Sequence, residues 1–137
     1  MFVDASALVA IITSEPEAEM FAHAIERAAH PVTSPLAIFE AVLAIRRKHS
    51  STVAEAIEDV RILRETAGVA VMATTEADAT TALEAFTRYG KGQGHPAQLN
   101  LGDCFAYAIA KNAGVSLLFK GADFSQTDIK QAVPQGK

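Results

Sequence analysis

Short apolar runs alternate with longer helical segments along this 137-residue chain. Strands are predicted at residues 1–4, 32–33, 69–72 and 116–119, with 129–133 as a candidate fifth. Helices are predicted at residues 6–12, 15–29, 35–48, 51–67, 75–89 and 102–112. Strands that alternate with helices indicate a parallel sheet covered by helices. We therefore expect a single α/β domain over residues 1–137.

Four acidic residues lie near the points where predicted strands end and loops or helices begin: Asp4, Glu40, Asp103 and Asp123. In an open α/β sheet, ligands bind in the crevice outside the carboxyl ends of the strands. Carboxylates brought together there repel one another unless a hard divalent cation lies among them. The joint pattern therefore predicts a metal-dependent phosphoryl-transfer site.

Each of three acids has a structural alternative when it is taken alone. Asp4 is also a favoured N-cap for the helix that follows it. Asp103 lies in a first helical turn, where an acid complements the helix dipole. Asp123 suits the turn after the fourth strand. Only the coincidence of all of them at one sheet edge favours the metal site.

Glu40 is harder to explain as a structural residue. It shares a helical stripe with Leu36 and Leu43, and we expect this stripe, with Phe39, to face the core. A carboxylate on such a face is costly without a positive partner, and no basic residue is near it on that face. A metal ion would supply the charge, and a buried salt bridge to a distant Arg or Lys is the alternative.

Three further residues are candidates for supporting roles. Ser6 and Ser34 are near Asp4 and Glu40 in the chain and can hydrogen-bond these acids or a metal-bound water. Helix capping explains both serines equally well. Asp128 is a candidate fifth acid, and a surface turn is its alternative.

Composition narrows the class of protein. The net charge is −4, and the four site acids account for all of it, so an acidic balance does not exclude a nucleic-acid substrate. The single cysteine, Cys104, excludes an internal disulfide and suits a reducing cytoplasm. The four histidines form no close pair of the kind that binds zinc. No charged region precedes an apolar core at the start, so we expect no signal peptide.

Four segments together resemble the PIN-domain nucleases, specifically the VapC toxins of bacterial and archaeal toxin–antitoxin pairs. Residues 2–8 (FVDASAL) are similar to the first motif of that family, and residues 34–40 (SPLAIFE) to the second. Residues 101–108 (LGDCFAYA) resemble the third motif, and residues 117–124 (LLFKGADF) with 127–128 the fourth. The match runs in order over nearly the whole chain.

The resemblance implies a three-layer α/β/α domain with a central parallel sheet. It also implies a Mg²⁺- or Mn²⁺-dependent endoribonuclease, usually a homodimer, that a partner antitoxin holds inactive. Asp4 and Asp103 would be direct metal ligands, and Glu40 and Asp123 would complete the site directly or through water. Members of the family differ in the fourth acid, so Asp123 and Asp128 both stay candidates.

Few aromatic side chains are available to stack on single-stranded bases, so we expect recognition of RNA shape. The resemblance implies a structured RNA such as tRNA as the substrate. Arg88, Lys91 and Lys120 are candidate phosphate contacts, and Lys48 is assigned to a helix C-terminus. An Asp-x-Asp phosphatase would need an acid in place of Ser6. The alternative of another class is a catalytically inactive PIN-like module that acts only through its antitoxin.

Overall fold

A computed structural model describes residues 1–134 and has a four-stranded parallel sheet at its centre. The strands are β1 (Phe2–Val3), β2 (Val32–Thr33), β3 (Ala70–Val71) and β4 (Leu117–Leu118), in the spatial order β3-β2-β1-β4. Six helices surround the sheet: α1 (Ala5–Ile12), α2 (Ala18–Arg27), α3 (Pro35–His49), α4 (Val53–Ala67), α5 (Glu76–Tyr89) and α6 (Leu101–Ala113). The predicted α/β fold with a central parallel sheet is confirmed.

Successive residues of the central strands point into two different cores. Phe2 and Leu117 pack with residues of α5 and α6, whereas Val3 and Leu118 pack with residues of α1 to α4. All four side chains are fully buried. Side chains of a strand alternate between its faces, so a sheet with helices on both sides requires apolar residues at every position. This accounts for the continuous apolar runs in the sequence.

The strand order places the candidate site at a switch in topology. β1 lies between β2 and β4, so the connection through α1 and α2 leads to one side of the sheet. The later connection through α5 and α6 brings the chain back to the other side of β1. A crevice forms where neighbouring connections diverge in this way. Asp4, directly after β1, stands at that point.

Three expectations about the fold need correction. Residues 129–133 form no strand: the segment makes one isolated bridge, from Gln131 to Leu117. Helix α2 begins at Ala18, and Pro16 lies in the preceding turn rather than in the helix. The third correction is that α3 buries a different face from the one expected. Its fully or largely buried residues are Ala37, Ala41, Val42 and Ile45.

The stripe that was expected to face the core from α3 is largely outside it. Phe39 is 62% exposed and Leu43 is 38% exposed, while Leu36 is half-buried. Apolar residues occur all around α3, so periodicity alone does not identify its inner face. Alanines at positions 37 and 41 let this helix approach its neighbours closely, and close packing decides which face turns inward.

Among residues 1–134, no helix combines the length and the apolar character that crossing a bilayer requires.

Candidate active site

A cleft of ≈ 520 Å³ opens at the carboxyl ends of β1 and β4. It is lined by Asp4, Ala5, Ser6, Val9, Glu15, Glu40, Ala44, Lys48, Asp103, Lys120 and Gly121. Three of the four predicted acids therefore share one cavity, although they lie in three separate segments of the chain. Burial and electrostatics distinguish them from ordinary surface acids.

Asp4 is the most deeply placed of these acids, with 5% of its surface exposed. It caps α1: its Oδ2 accepts hydrogen bonds from the backbone N–H of Ser6 at 3.0 Å and from the Ser6 hydroxyl at 2.5 Å. Burial raises the pKa of the Asp4 carboxyl despite these hydrogen bonds. Capping therefore does not explain the residue fully, because a carboxylate buried this deeply lacks a positive partner.

Ser6 connects Asp4 to the loop after β4. The same hydroxyl that donates to Asp4 accepts a hydrogen bond from the backbone N–H of Lys120 at 3.0 Å. Gly121 follows with a φ of +110°, a conformation that residues with a Cβ rarely adopt. The turn that closes the cleft at β4 is thus fixed to the first acid.

Glu40 points from α3 toward Asp4 and Asp103. Burial raises its pKa to about 7, and the charges of Asp4 and then Asp103 add to the rise. The residue fits only because position 102 is glycine. A Cβ at Gly102 would lie 1.9 Å from Oε2 of Glu40. Glycine in the first turn of α6 therefore makes room for a carboxylate from α3.

Asp103 serves both as a cap and as a member of the cleft. Its Oδ2 accepts a hydrogen bond from the backbone N–H of Asn100 at 3.0 Å, and its own N–H donates to the Asn100 side chain at 2.8 Å. Burial raises its pKa to about 6 against the effect of the Asn100 hydrogen bond, and the nearby charges of Asp4 and Asp123 contribute. Asp123 is exposed, does not line the cleft, and approaches it from the turn after β4.

The cleft has the donor chemistry of a hard-cation site. Loss of hydration is the main cause of all three raised pKa values, and the charges of neighbouring carboxylates add to the rise at Glu40 and Asp103. In the part of the chain that the structure describes, no three acidic, histidine or cysteine side chains form a ready-made metal cage. The carboxylate oxygens of Asp4, Glu40 and Asp103 nevertheless suit an ion such as Mg²⁺, which binds through one or two carboxylates and keeps several waters.

Several predicted residues lie outside the cleft. Both carboxylate oxygens of Asp128 are engaged, one by the Tyr107 hydroxyl at 2.5 Å and the other by Lys111 at 2.6 Å, and these contacts lower its pKa to about 2. Ser34 caps α3 by accepting from the backbone N–H of Ala37 at 3.1 Å. Neither residue lines the cleft.

The basic candidates are divided between the cleft and other surfaces. Lys120, beside the fourth motif, lines the cleft. Arg88 instead stacks 4.8 Å from the ring of Tyr89 and lines a separate cavity of ≈ 220 Å³ between α5 and α6. Lys91 is exposed in the loop after α5, and its side chain does not line the cleft.

Two charged residues of the cleft were not predicted from the sequence as site residues. Glu15 is a fourth acid in the cavity, and Lys48 is a second lysine beside Lys120. Glu15 pairs with both lysines, which lower its pKa to about 2. Position in the chain gives no sign of these contacts, because Glu15 and Lys120 are 105 residues apart.

Cys104 is unsuited to act as a nucleophile. Its side chain is buried, and burial followed by the charge of Asp103 raises its pKa to about 11. The thiolate that nucleophilic attack requires is therefore scarce at neutral pH. Its small apolar volume fills the core beside α5 and α6.

Sequence comparison finds matches over nearly the whole chain. The PIN domain family matches residues 1–130. A VapC ribonuclease of Rhizobium meliloti is 42% identical over 93% of this chain and 98% of its own length. A VapC ribonuclease of Mycobacterium bovis is 38% identical over 96% of this chain and 98% of its own length.

Solved structures share the fold at low sequence identity. The VapC20 toxin of Mycobacterium tuberculosis, described as cleaving the sarcin-ricin loop, superposes with a TM-score of 0.73 at 17% identity, over 93% of this chain and 95% of that one. A chain of a toxin–antitoxin complex from Klebsiella pneumoniae gives a TM-score of 0.67 at 16% identity, over 90% of this chain and 89% of that one.

The raised pKa values predict that the metal-free protein loses stability as the pH rises. Between the ordinary carboxyl pKa near 4 and the raised values of about 6 and 7, the folded state binds more protons than the unfolded state. The free energy of unfolding should therefore fall across this window, by on the order of 1–3 kcal/mol after solvent screening. Thermal or urea unfolding in EDTA at a series of pH values measures it.

Glu40→Gln is the control for this prediction. It removes the carboxyl whose pKa is raised to about 7, so the free energy of unfolding should fall less with pH in this variant. Glu15 and Asp128, whose pKa values are about 2, lose their contributions only at lower pH and do not mask the effect. A free energy of unfolding that rises from pH 5 to pH 8 would contradict the charge arrangement described above.

Gly102→Ala should displace the Glu40 carboxylate and lower activity without unfolding the protein. The atom that the new Cβ meets is the end of a flexible side chain, so Glu40 moves and the backbone stays. Alanine also favours a helix over glycine by about 0.5–1 kcal/mol. We expect unchanged or higher thermal stability together with reduced RNA cleavage. Glu40→Gln, which removes the same negative charge from the cleft, should reduce cleavage to a similar extent. Cleavage at the parent rate would contradict the close approach.

Proposed function

The chain belongs to the PIN-domain family, among the VapC ribonucleases, and we propose that Asp4, Glu40, Asp103 and Asp123 are the metal-binding acids of its ribonuclease site. The observation that carries this proposal is the cleft shared by the buried Asp4 and the half-buried Glu40 and Asp103, in which the two lysines pair with Glu15. Full-length relatedness to VapC ribonucleases supports an endoribonuclease over an inactive binding module.

Asp4 and Asp103 are the proposed direct ligands of a divalent cation. Asp4 is buried and Asp103 is half-buried, and each leaves its Oδ1 outside the capping hydrogen bonds. Glu40 and Asp123 complete the site directly or through water. Mg²⁺ and Mn²⁺ both suit oxygen ligands of this kind. Such an ion, when bound, lowers the pKa of an attacking water and offsets charge on the phosphoryl oxygens.

The protein side chains prepare the reaction in two ways. Ser6 holds the Asp4 carboxylate in one orientation through its hydroxyl and backbone N–H, so this ligand loses little freedom when it binds. Because Gly102 has no side chain, the Glu40 carboxylate has room to lie beside Asp4 and Asp103. Because Glu40 and Asp103 have raised pKa values, both must release protons before they act as anionic ligands.

The proposed substrate is a structured RNA such as tRNA, and the proposed partner is a cognate antitoxin protein. Exposed apolar side chains offer surface for protein contacts, Phe39 and Ile57 on α3 and α4 and Leu83 and Leu101 on α5 and α6. The homodimer is part of the same proposal. We further propose that the protein acts in the cytoplasm, which its single reduced cysteine supports.

Asp4→Asn and Asp103→Asn should each abolish RNA cleavage while the fold is kept. Each substitution removes one negative ligand with almost no change in volume. We expect a loss on the order of a hundredfold or more, since even residues that only orient metal ligands are worth ten- to a hundredfold. The measurement is cleavage of total tRNA by antitoxin-free protein, with Mg²⁺ or Mn²⁺ and with EDTA.

Two controls accompany this test. In EDTA the Asp4→Asn variant should be at least as stable as the parent, because it relieves a buried, uncompensated charge. Expression of the parent without its antitoxin should stop bacterial growth, and expression of Asp4→Asn should not. Cleavage by both variants at the parent rate would show that the metal-site assignment is wrong.

A further inference from the structure

Glu15 and two lysines form an ion-pair cluster at the rim of the cleft. Lys48, in the last turn of α3, and Lys120, two residues after β4, both donate to the Glu15 carboxylate. Lys120 also approaches Oε1 of Glu17 at 3.6 Å. The Glu15 side chain is 14% exposed, whereas those of Lys48 and Lys120 are 46% and 36% exposed. The acid is thus largely enclosed, whereas both lysine side chains are partly accessible.

This cluster and the proposed metal-binding acids share one cavity. Lys48 and Lys120 line the same ≈ 520 Å³ cleft as Asp4, Glu40 and Asp103. The chain as a whole carries a net charge of −4, so a polyanion that approaches the acids meets an unfavourable field. Lysines that already face the cleft are the groups that can offset this repulsion beside the reacting phosphate.

An internal carboxylate occupies the lysines in the absence of RNA. Each Lys ammonium carries a single positive charge, and the Glu15 carboxylate that both lysines contact already offsets part of it. A phosphate oxygen carries the same sign of charge as a carboxylate and accepts the same hydrogen bonds. Phosphate and Glu15 therefore compete for the same two cations.

We propose that Lys48 and Lys120 contact the RNA phosphate backbone in the cleft, and that Glu15 is an internal competitor that weakens RNA binding. This inference rests on the proposed nuclease function, since it uses the same cleft. It assigns Lys48 and Glu15 roles that their sequence positions do not suggest. The competing explanation is a purely structural strut that joins the α1–α2 turn to the ends of α3 and β4.

The two explanations predict different signs for substitution of Glu15. If the cluster is a strut, Lys48→Gln, Lys120→Gln and Glu15→Gln all act alike, by lowering stability. If Glu15 competes with phosphate, the lysine variants weaken RNA binding and Glu15→Gln strengthens it. Glutamine keeps the size and one acceptor of Glu15 and removes only its charge, so the change in affinity reports electrostatics.

The test measures binding of a fluorescein-labelled RNA stem–loop to the full chain in EDTA by fluorescence anisotropy, so that the lysine contacts are measured without a contribution from metal. All proteins carry Asp4→Asn to prevent cleavage, and binding is titrated at several salt concentrations. We expect Lys48→Gln and Lys120→Gln to bind about three- to tenfold more weakly, with the slope of log affinity against log salt reduced by about 0.7–0.9 each. Glu15→Gln should bind about three- to tenfold more tightly at low salt.

Two matched variants control for net charge. Lys130→Gln removes a lysine at the opposite end of β4, where the Lys130 carbonyl accepts from the Leu117 N–H. Glu58→Gln removes an exposed acid that is paired with Arg61 on α4. Both should leave affinity and salt slope near those of the reference protein.

Equal affinities for all these proteins, weaker binding by Glu15→Gln, or no binding by the reference protein would each overturn the proposal. Tight RNA binding through the lysines by a parent that never cleaves RNA would instead refute the nuclease and leave this inference standing. Cleavage by a parent whose lysine variants bind RNA normally would overturn this inference and leave the nuclease function standing.

Discussion

The buried carboxylate of Asp4 is the constraint on which the site depends. It ends β1, caps α1, and accepts from Ser6, whose hydroxyl is fixed in turn by the backbone N–H of Lys120. One side chain thus joins two strands and a helix at the point where the topology switches. Burying it costs free energy, which raises its pKa. The fold keeps in this crevice a charge that favours a cation.

Charge is divided within the cleft. On one side, Asp4, Glu40 and Asp103 are carboxylates without positive partners, and their pKa values are raised. At the rim, Glu15 is neutralised by two lysines, and its pKa is lowered to about 2. The first arrangement suits a hard cation, and the second brings cations to an anionic polymer. A phosphodiester held by metal on one side and lysines on the other would satisfy both.

Much of the fold could be predicted from sequence, because a parallel sheet between two helical layers needs continuous apolar strands. The placement of Asp4 and Glu40 at one sheet edge followed from the same logic, since acids that follow parallel strands meet at one crevice. Asp103 follows no strand, and the first turn of α6 brings it to the cleft. The prediction that Glu40 lies on a core-facing stripe of α3 was partly wrong, because Phe39 and Leu43 on that stripe are exposed. Glu15 and Lys48 could not be predicted, since their contact depends on how α3 packs against the α1–α2 turn. Local periodicity carries no information on such distant pairs.

The most direct test is calorimetric titration of Mg²⁺ or Mn²⁺ into metal-free protein near pH 6 and near pH 8, in buffers of different ionisation enthalpy. The ligands must be deprotonated to bind a cation, and the pKa values of Glu40 and Asp103 are about 7 and 6. The account predicts tighter binding near pH 8, proton release near pH 6, and loss of binding in Asp4→Asn. Absence of binding at both pH values, or binding that Asp4→Asn leaves unchanged, would contradict it.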